Sequence, residues 1–171
     1  MPCASHQNRS KIINMNKSPT DVLREEHDKV LGMLDRLEKG LEDKDLKSLE
    51  RNILLLSKEF DRHSLNKEEK VLFPEIEKFI AQDSGPTEVM RMEHKDLTES
   101  IKNFAVYMAQ TAKTKDFSKL QEIGSHIIDI LRQHIDKENN ILFMIVDMHL
   151  EDKQKKAILE KFRKIDAGTK V

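Results

Sequence analysis

One cysteine, no tryptophan, one tyrosine, five glycines and four prolines stand in 171 residues, and each shortage removes a class of protein. With Cys3 alone there is no internal disulfide, which suits a reducing compartment such as the cytoplasm. So little glycine and proline disfavours a loop-rich fold and favours long helices. Aromatic residues are 5% of the chain, which leaves the core to Leu, Ile, Val and Met. No apolar run approaches the ~20 residues of a membrane span, and the start is too polar for a secretory signal. The net charge is −1, from 30 basic and 31 acidic residues. The two signs are interspersed, whereas a nucleic-acid footprint needs basic clustering. No nucleophile triad, phosphate loop or nucleotide motif occurs. The expectation is a cytoplasmic helical protein of one domain, with neither membrane nor nucleic acid as a partner.

What the chain does have is helical periodicity. Ser18-Pro19-Thr20-Asp21 reads as a helix start, with Ser18 as N-cap, Pro19 in the first turn and Asp21 closing a capping box. The stripe that follows is Leu23, His27, Val30, Leu34, Leu37, Leu41, in steps of three and four. Gly40 and the charged run from Glu42 to Asp45 are expected to end it. A second stripe runs Leu49, Ile53, Leu56, Phe60, His63 and then slips, because the next two positions are Lys67 and Lys70. It resumes at Leu72, Ile76 and Phe79, which turns Glu68 inward if a π-bulge absorbs one residue. Pro74 should kink or end that helix. After Asp83-Ser84-Gly85-Pro86 a third stripe reads Met90, His94, Leu97, Ile101, Phe104, Met108. A fourth reads Leu120, Ile123, Ile127, Ile130, His134, Glu138, Ile141, Ile145, Met148. Ile158, Phe162 and Ile165 edge a last short helix from Asp152. The fold expected is all-α, an up-down-up-down four-helix bundle over 18–150 with a short C-terminal helix in 151–171. Residues 1–17 are expected to be a disordered tail, with Met15 an alternative start.

The chain also repeats itself. Arg24-Glu25-Glu26-His27 is echoed 67 positions on by Arg91-Met92-Glu93-His94. Lys67-Glu68-Glu69-Lys70-Val71-Leu72-Phe73 is echoed 70 positions on by Lys137-Glu138-Asn139-Asn140-Ile141-Leu142-Phe143. Helices 1–2 and 3–4 therefore read as two copies of one hairpin. The register pairs Glu68 with Glu138, and Glu69 is the competing candidate for that position.

Four stripes with one histidine each, and two with an inward glutamate, carry a functional meaning. A buried carboxylate is costly unless paired or metal-bound. A His–Glu ion-pair network would satisfy the charges, but it gives no reason for each hairpin to repeat the set. Imidazole with carboxylate suits iron, manganese or zinc, and a bundle interior is where such sites are built. The candidate metal ligands are His27, His63, Glu68, His94, His134 and Glu138. Two histidines per ion and two bridging glutamates give each of two metals four protein donors and leave an exchangeable position, unlike a closed structural site. Phe73 and Phe143 are expected to wall this pocket. Glu26 and Glu93 read as solvated helix charges, and Met33, Met90, Met108 and Met148 as core filling.

Glu26-His27, the segment from His63 to Pro74, Glu93-His94, and the segment from His134 to Phe143 together resemble the hemerythrin-like, HHE cation-binding family over roughly residues 19 to 150. That resemblance implies a four-helix bundle around a non-haem di-iron centre held by the same six residues. It implies a ligand that is a small diatomic molecule or a peroxide, bound, sensed or reduced there. Oxygen carriers of the family have a histidine where Thr98 stands, and an aspartate where Asn139 stands, with Glu138 taking its place one residue earlier. A four-histidine set is closer to the branch associated with iron–sulfur repair and nitric oxide or oxygen stress. An iron-donating repair role and a purely structural metal are the alternative functions.

Overall fold

The protein is described by a computed structural model covering residues 17–80 and 85–168. The tail expected over 1–17, Lys17 excepted, lies outside the described residues, as do Cys3 and most of the break before Pro86. Five helices and no strand occur among the described residues. Helix α1 is Pro19–Glu42. Helix α2 runs through 46–76 as Leu46–Phe60, a π-helical stretch Asp61–Leu72, and Phe73–Ile76. Helix α3 is Pro86–Thr114. Helix α4 runs through 118–149 as Ser118–Lys137, a π turn Glu138–Leu142, and Phe143–His149. Helix α5 is Asp152–Asp166. Short connections between α1 and α2 and between α3 and α4 make each pair antiparallel. Each of the four long helices packs on two others in the ring α1–α2–α3–α4.

The start of α1 follows the local chemistry. The Asp21 N–H donates to Ser18 Oγ at 3.1 Å, and the Ser18 N–H donates to the Asp21 carboxylate at 2.8 Å. The helix ends at Glu42, in the charged run as expected, but not at the glycine. Gly40 lies inside α1, where a Cβ would sit 2.9 Å from Leu49 Cδ2. It permits close approach of α2 rather than terminating the helix.

The interior consists of two apolar blocks. Val30, Leu34, Leu37, Leu49, Leu56, Phe60, Leu97, Phe104, Ile127 and Leu131 belong to the larger block. Leu23, Leu72, Phe73, Ile76, Met90, Leu142, Phe143 and Val146, with Ile158 and Phe162 of α5, form the smaller one. Between them, in every long helix, falls the level of the inward histidine. Burying Ile158 and Phe162 contributes about 1.5–3 kcal/mol each, which docks α5 on the π stretch of α2 and on α1.

The register slip in α2 is present and longer than the single turn expected, extending over 12 residues. Two partners face this segment: the bundle interior takes His63 and Glu68, while Asp166 and Phe162 of α5 meet Lys67. A wide spiral presents both faces at once. Lys67, expected off the stripe, is fully buried. Phe79 is 45% exposed because α2 ends at Ile76, two residues after Pro74.

Helix α4 carries a second wide turn that the stripe did not announce. It begins at Glu138 and advances the buried face by one residue. Leu142, Phe143 and Val146 are buried, whereas Ile141 and Met148, expected inside, are exposed.

Candidate metal centre

The six sequence-predicted residues converge. His27, His63, Glu68 and Glu138 bring one donor atom each within 4.8 Å of one another, as do Glu68, His94, His134 and Glu138. Glu68 and Glu138 belong to both groups, and all six side chains are buried. The other two described histidines, His126 and His149, are exposed on the surface.

The two π turns perform the placement. Five residues of regular helix would set His63 and Glu68 about 140° apart. In the wide spiral the Glu68 carbonyl accepts from the Phe73 N–H, and the Glu138 carbonyl likewise accepts from the Phe143 N–H. Each glutamate therefore opens a widened turn that ends at a phenylalanine. Phe143 stacks on His27 with ring centroids 5.4 Å apart, and Phe73 stacks on His94 at 5.8 Å. Arg24 and Arg91 lie over the outer faces of these rings at 5.2 and 5.3 Å. Both expected wall residues thus fix a histidine ring.

Each imidazole is also held from behind through Nδ1. His63 meets Glu26 at 2.8 Å and His134 meets Glu93 at 2.8 Å. His94 meets Glu69 at 2.7 Å, and His27 meets the Asn139 side-chain oxygen at 3.0 Å. With Nδ1–H donating to these acceptors, each Nε2 lone pair points inward, the tautomer a metal ligand needs. Glu26 and Glu93 are therefore not the free surface charges expected. Glu26 is 4% exposed and also accepts from Lys67 Nζ at 2.5 Å and from Arg62 at 2.7 Å. Asp166 of α5 completes this network by pairing with Lys67 at 2.7 Å and with Arg62. Lys137 pairs with Glu93 in the same way, nearer solvent. Glu69, the competing candidate for the inward position, backs His94 instead. The signal for these partners was the repeat itself, which carries Glu26/Glu93 and Lys67/Lys137 along with the histidines and glutamates.

Six of the eight inward atoms are left without hydrogen bonds. His27 Nε2, His63 Nε2 and all four carboxylate oxygens of Glu68 and Glu138 are buried and unpartnered. Their mutual separations are short, 3.1 Å for His27–Glu138 and 3.2 Å for His134–Glu138, but the angles are not those of hydrogen bonds. His94 Nε2 and His134 Nε2 face each other at 3.0 Å. That pair forms a hydrogen bond only if one ring carries its proton on Nε2, and a metal ion bound by both nitrogens would take that proton's place. Orphaned buried acceptors of this kind cost several kcal/mol unless something binds them, so the residue set fits metal.

Without metal the cluster holds protons. Burial alone would lower the His63 pKa, but the Glu68 charge beside it and the hydrogen bond to Glu26 outweigh it and lift it to about 10. Burial likewise opposes, and the nearby Glu138 charge with the hydrogen bond to Glu93 outweighs, for His134, also raised to about 10. The Glu138 carboxyl is held well below its usual range, the imidazoles of His134 and His27 overcoming its burial. Metal entry must displace protons here.

The sequence matches the hemerythrin HHE cation binding domain over residues 18–146. The chain belongs to the hemerythrin HHE cation-binding family. It is also similar to the iron-sulfur cluster repair proteins YtfE of Citrobacter koseri, Enterobacter sp. and Escherichia coli. Each is 35% identical over 102 residues, which is 57% of this chain and 46% of the relative. The chain spans about half the length of these curated relatives. No solved structure matches. No helix among the described residues is long and apolar enough to cross a membrane.

Proposed function

We propose that this HHE domain is a non-haem di-iron protein that binds, senses or reduces a small ligand, oxygen, nitric oxide or a peroxide, at a centre bridged by Glu68 and Glu138. His27 and His63 would hold one ion, His94 and His134 the other. The observation that carries this reading is the set of buried, unpartnered Nε2 and carboxylate atoms shared between two overlapping four-residue groups. Iron bound there supplies redox chemistry and a coordination position open to an exogenous ligand. Manganese and zinc suit the same donors.

The chain's own residues set what reaches that position. A void of about 10 Å³ adjoins His27, His63, His134 and Glu138. Val30, Leu56, Phe60, Leu131 and Ile135 wall its other side. That is room for about one water-sized molecule, which favours a diatomic over any larger substrate. The apolar wall excludes bulk water, and Ser64 contributes a hydroxyl to the lining. Glu26, Glu69, Glu93 and Asn139 hold the imidazole orientations throughout.

The similarity to iron-sulfur cluster repair proteins favours a second reading, iron donation in iron–sulfur cluster repair, carried by 35% identity over 102 residues. The test separates these. Protein purified from iron-replete cells should hold about two irons per chain, and azide or nitric oxide should change its visible spectrum. One ion or none per chain removes the di-iron reading. Two irons with a spectrum indifferent to both ligands leaves a structural metal. Iron released to an apo iron–sulfur acceptor favours the repair reading.

A further inference from the structure

The two halves of the centre are built by the same repeat, yet their supports differ at one position. In each hairpin the glutamate before the first histidine holds the second histidine, Glu26 on His63 and Glu93 on His134. In each hairpin the residue after the inward glutamate holds a histidine of the other hairpin. Here the copies diverge: Glu69 holds His94, but Asn139 holds His27. A neutral amide thus stands where the repeat would put a carboxylate.

The difference acts on the metal through the ring. A carboxylate accepting from Nδ1–H raises the basicity of the opposite nitrogen and adds a negative charge near the cation, and an amide oxygen does neither to the same degree. The charges further out are arranged differently in the two halves and lie beyond direct contact with these two rings. Glu26 behind His63 is met by both Arg62 and Lys67, which Glu59 and Asp166 balance in turn. Glu93 behind His134 is met by Lys137. Glu69 forms an ion pair only with His94 among the described residues. Summed over these partners the two halves carry the same net charge, so what distinguishes them is the group bonded directly to a ring, the Glu69 carboxylate on His94 and the neutral Asn139 amide on His27.

Resting on the proposed di-metal reading, we infer that the two positions are inequivalent. The pair His94/His134 is the tight position and fills first, and the pair His27/His63 is the labile one, emptied first by a chelator. Groups in this outer position typically change metal affinity 10–100-fold, which sets the expected gap.

The test titrates the metal-free full-length chain with cobalt(II), read by visible absorption and calorimetry, alongside two shape-preserving variants. Glu69→Gln should weaken the first ion by roughly 10–100-fold. Asn139→Asp should leave the first ion nearly unchanged and strengthen the second by about the same factor. Circular dichroism confirms that both variants remain folded, and each differs from the parent by one atom and one charge. If Asn139→Asp strengthens the first ion and Glu69→Gln spares it, the order is reversed. If neither variant separates the two ions, the positions are equivalent; both results overturn the inference while leaving two bound metals. A chain that takes up neither cobalt(II) nor iron overturns the di-metal reading instead.

Discussion

Glu26 and Glu93 occupy equivalent places in the two hairpins and make the same bond to a histidine, but their burial differs, so one substitution made in both copies isolates the effect of depth. The Glu26 side chain is 5% exposed and its partner Lys67 is 0% exposed. Glu93 and Lys137 are 21% and 34% exposed. Removing one member of a buried ion pair costs about 3–5 kcal/mol, because the other charge stays buried, while a solvated pair contributes about 0–1 kcal/mol. In Glu26→Gln the Lys67 ammonium keeps Asp166 at 2.7 Å, which puts the loss at the low end, about 3 kcal/mol. For a chain of this size 1 kcal/mol moves the melting temperature by about 2–4 °C. Metal-free Glu26→Gln should therefore melt about 6–12 °C below the parent, and Glu93→Gln no more than about 4 °C below it. Urea unfolding of the metal-free proteins gives the same comparison as free energies. Adding Lys67→Met to Glu26→Gln should restore part of the loss, since it removes the charge left behind. Acid provides a further check. Burial raises the Glu26 pKa, but its bonds to His63 and Lys67 overcome that and hold it at about 2. Its contribution is complete above the ordinary value of 4.5 and fades as pH falls toward 2, so the gap between parent and Glu26→Gln should close over that interval. Equal losses for the two substitutions would refute the argument from burial.

Glu68→Ala should lose metal as severely as Glu138→Ala in elemental analysis, with Glu69→Ala milder by at least tenfold in affinity; the reverse ranking would make Glu69 the bridging carboxylate. His63 and His134, raised to about 10 when metal-free, stabilise the metal-free fold fully below pH 6.5 and lose that contribution as pH rises toward 10. Its melting temperature should fall over that window while metal affinity rises, measured by thermal scans with and without iron. Phe162→Ala removes a ring buried between α5 and Lys67 and should cost about 3–5 kcal/mol in urea unfolding, without removing any proposed ligand; an unchanged midpoint would mean that α5 does not brace this end.

The helices and the six inward residues were legible because each depends on a local period. His27, His94 and the apolar positions around them follow steps of three and four. The slip in α2 was visible because Lys67 and Lys70 interrupt that rhythm and Leu72 resumes it out of step. The slip in α4 was hidden because Ile141 and Ile145 offer an unbroken stripe, although Leu142 and Phe143 are the residues buried. Periodicity could not choose between two apolar sets one residue apart. The repeat could have done so, since it aligns Leu72 and Phe73 with Leu142 and Phe143. Lys67 was misplaced for a related reason: its burial depends on α5, a contact no local pattern encodes.

The outer hydrogen bonds show why the repeat matters beyond bookkeeping of residues. Two of them, Glu26–His63 and Glu93–His134, close within a hairpin. The other two, Glu69–His94 and Asn139–His27, cross from one hairpin to the other. The stacking follows the crossed pattern too, with Phe73 on His94 and Phe143 on His27. One hairpin alone can therefore orient only its second histidine, and the first depends on the facing copy. The donor atoms for a metal come together only when the hairpins dock, so a bound metal would stabilise the docked bundle over separated hairpins and would draw its affinity from the same contacts. A change at the hairpin interface should thus weaken metal binding even where no ligand is touched.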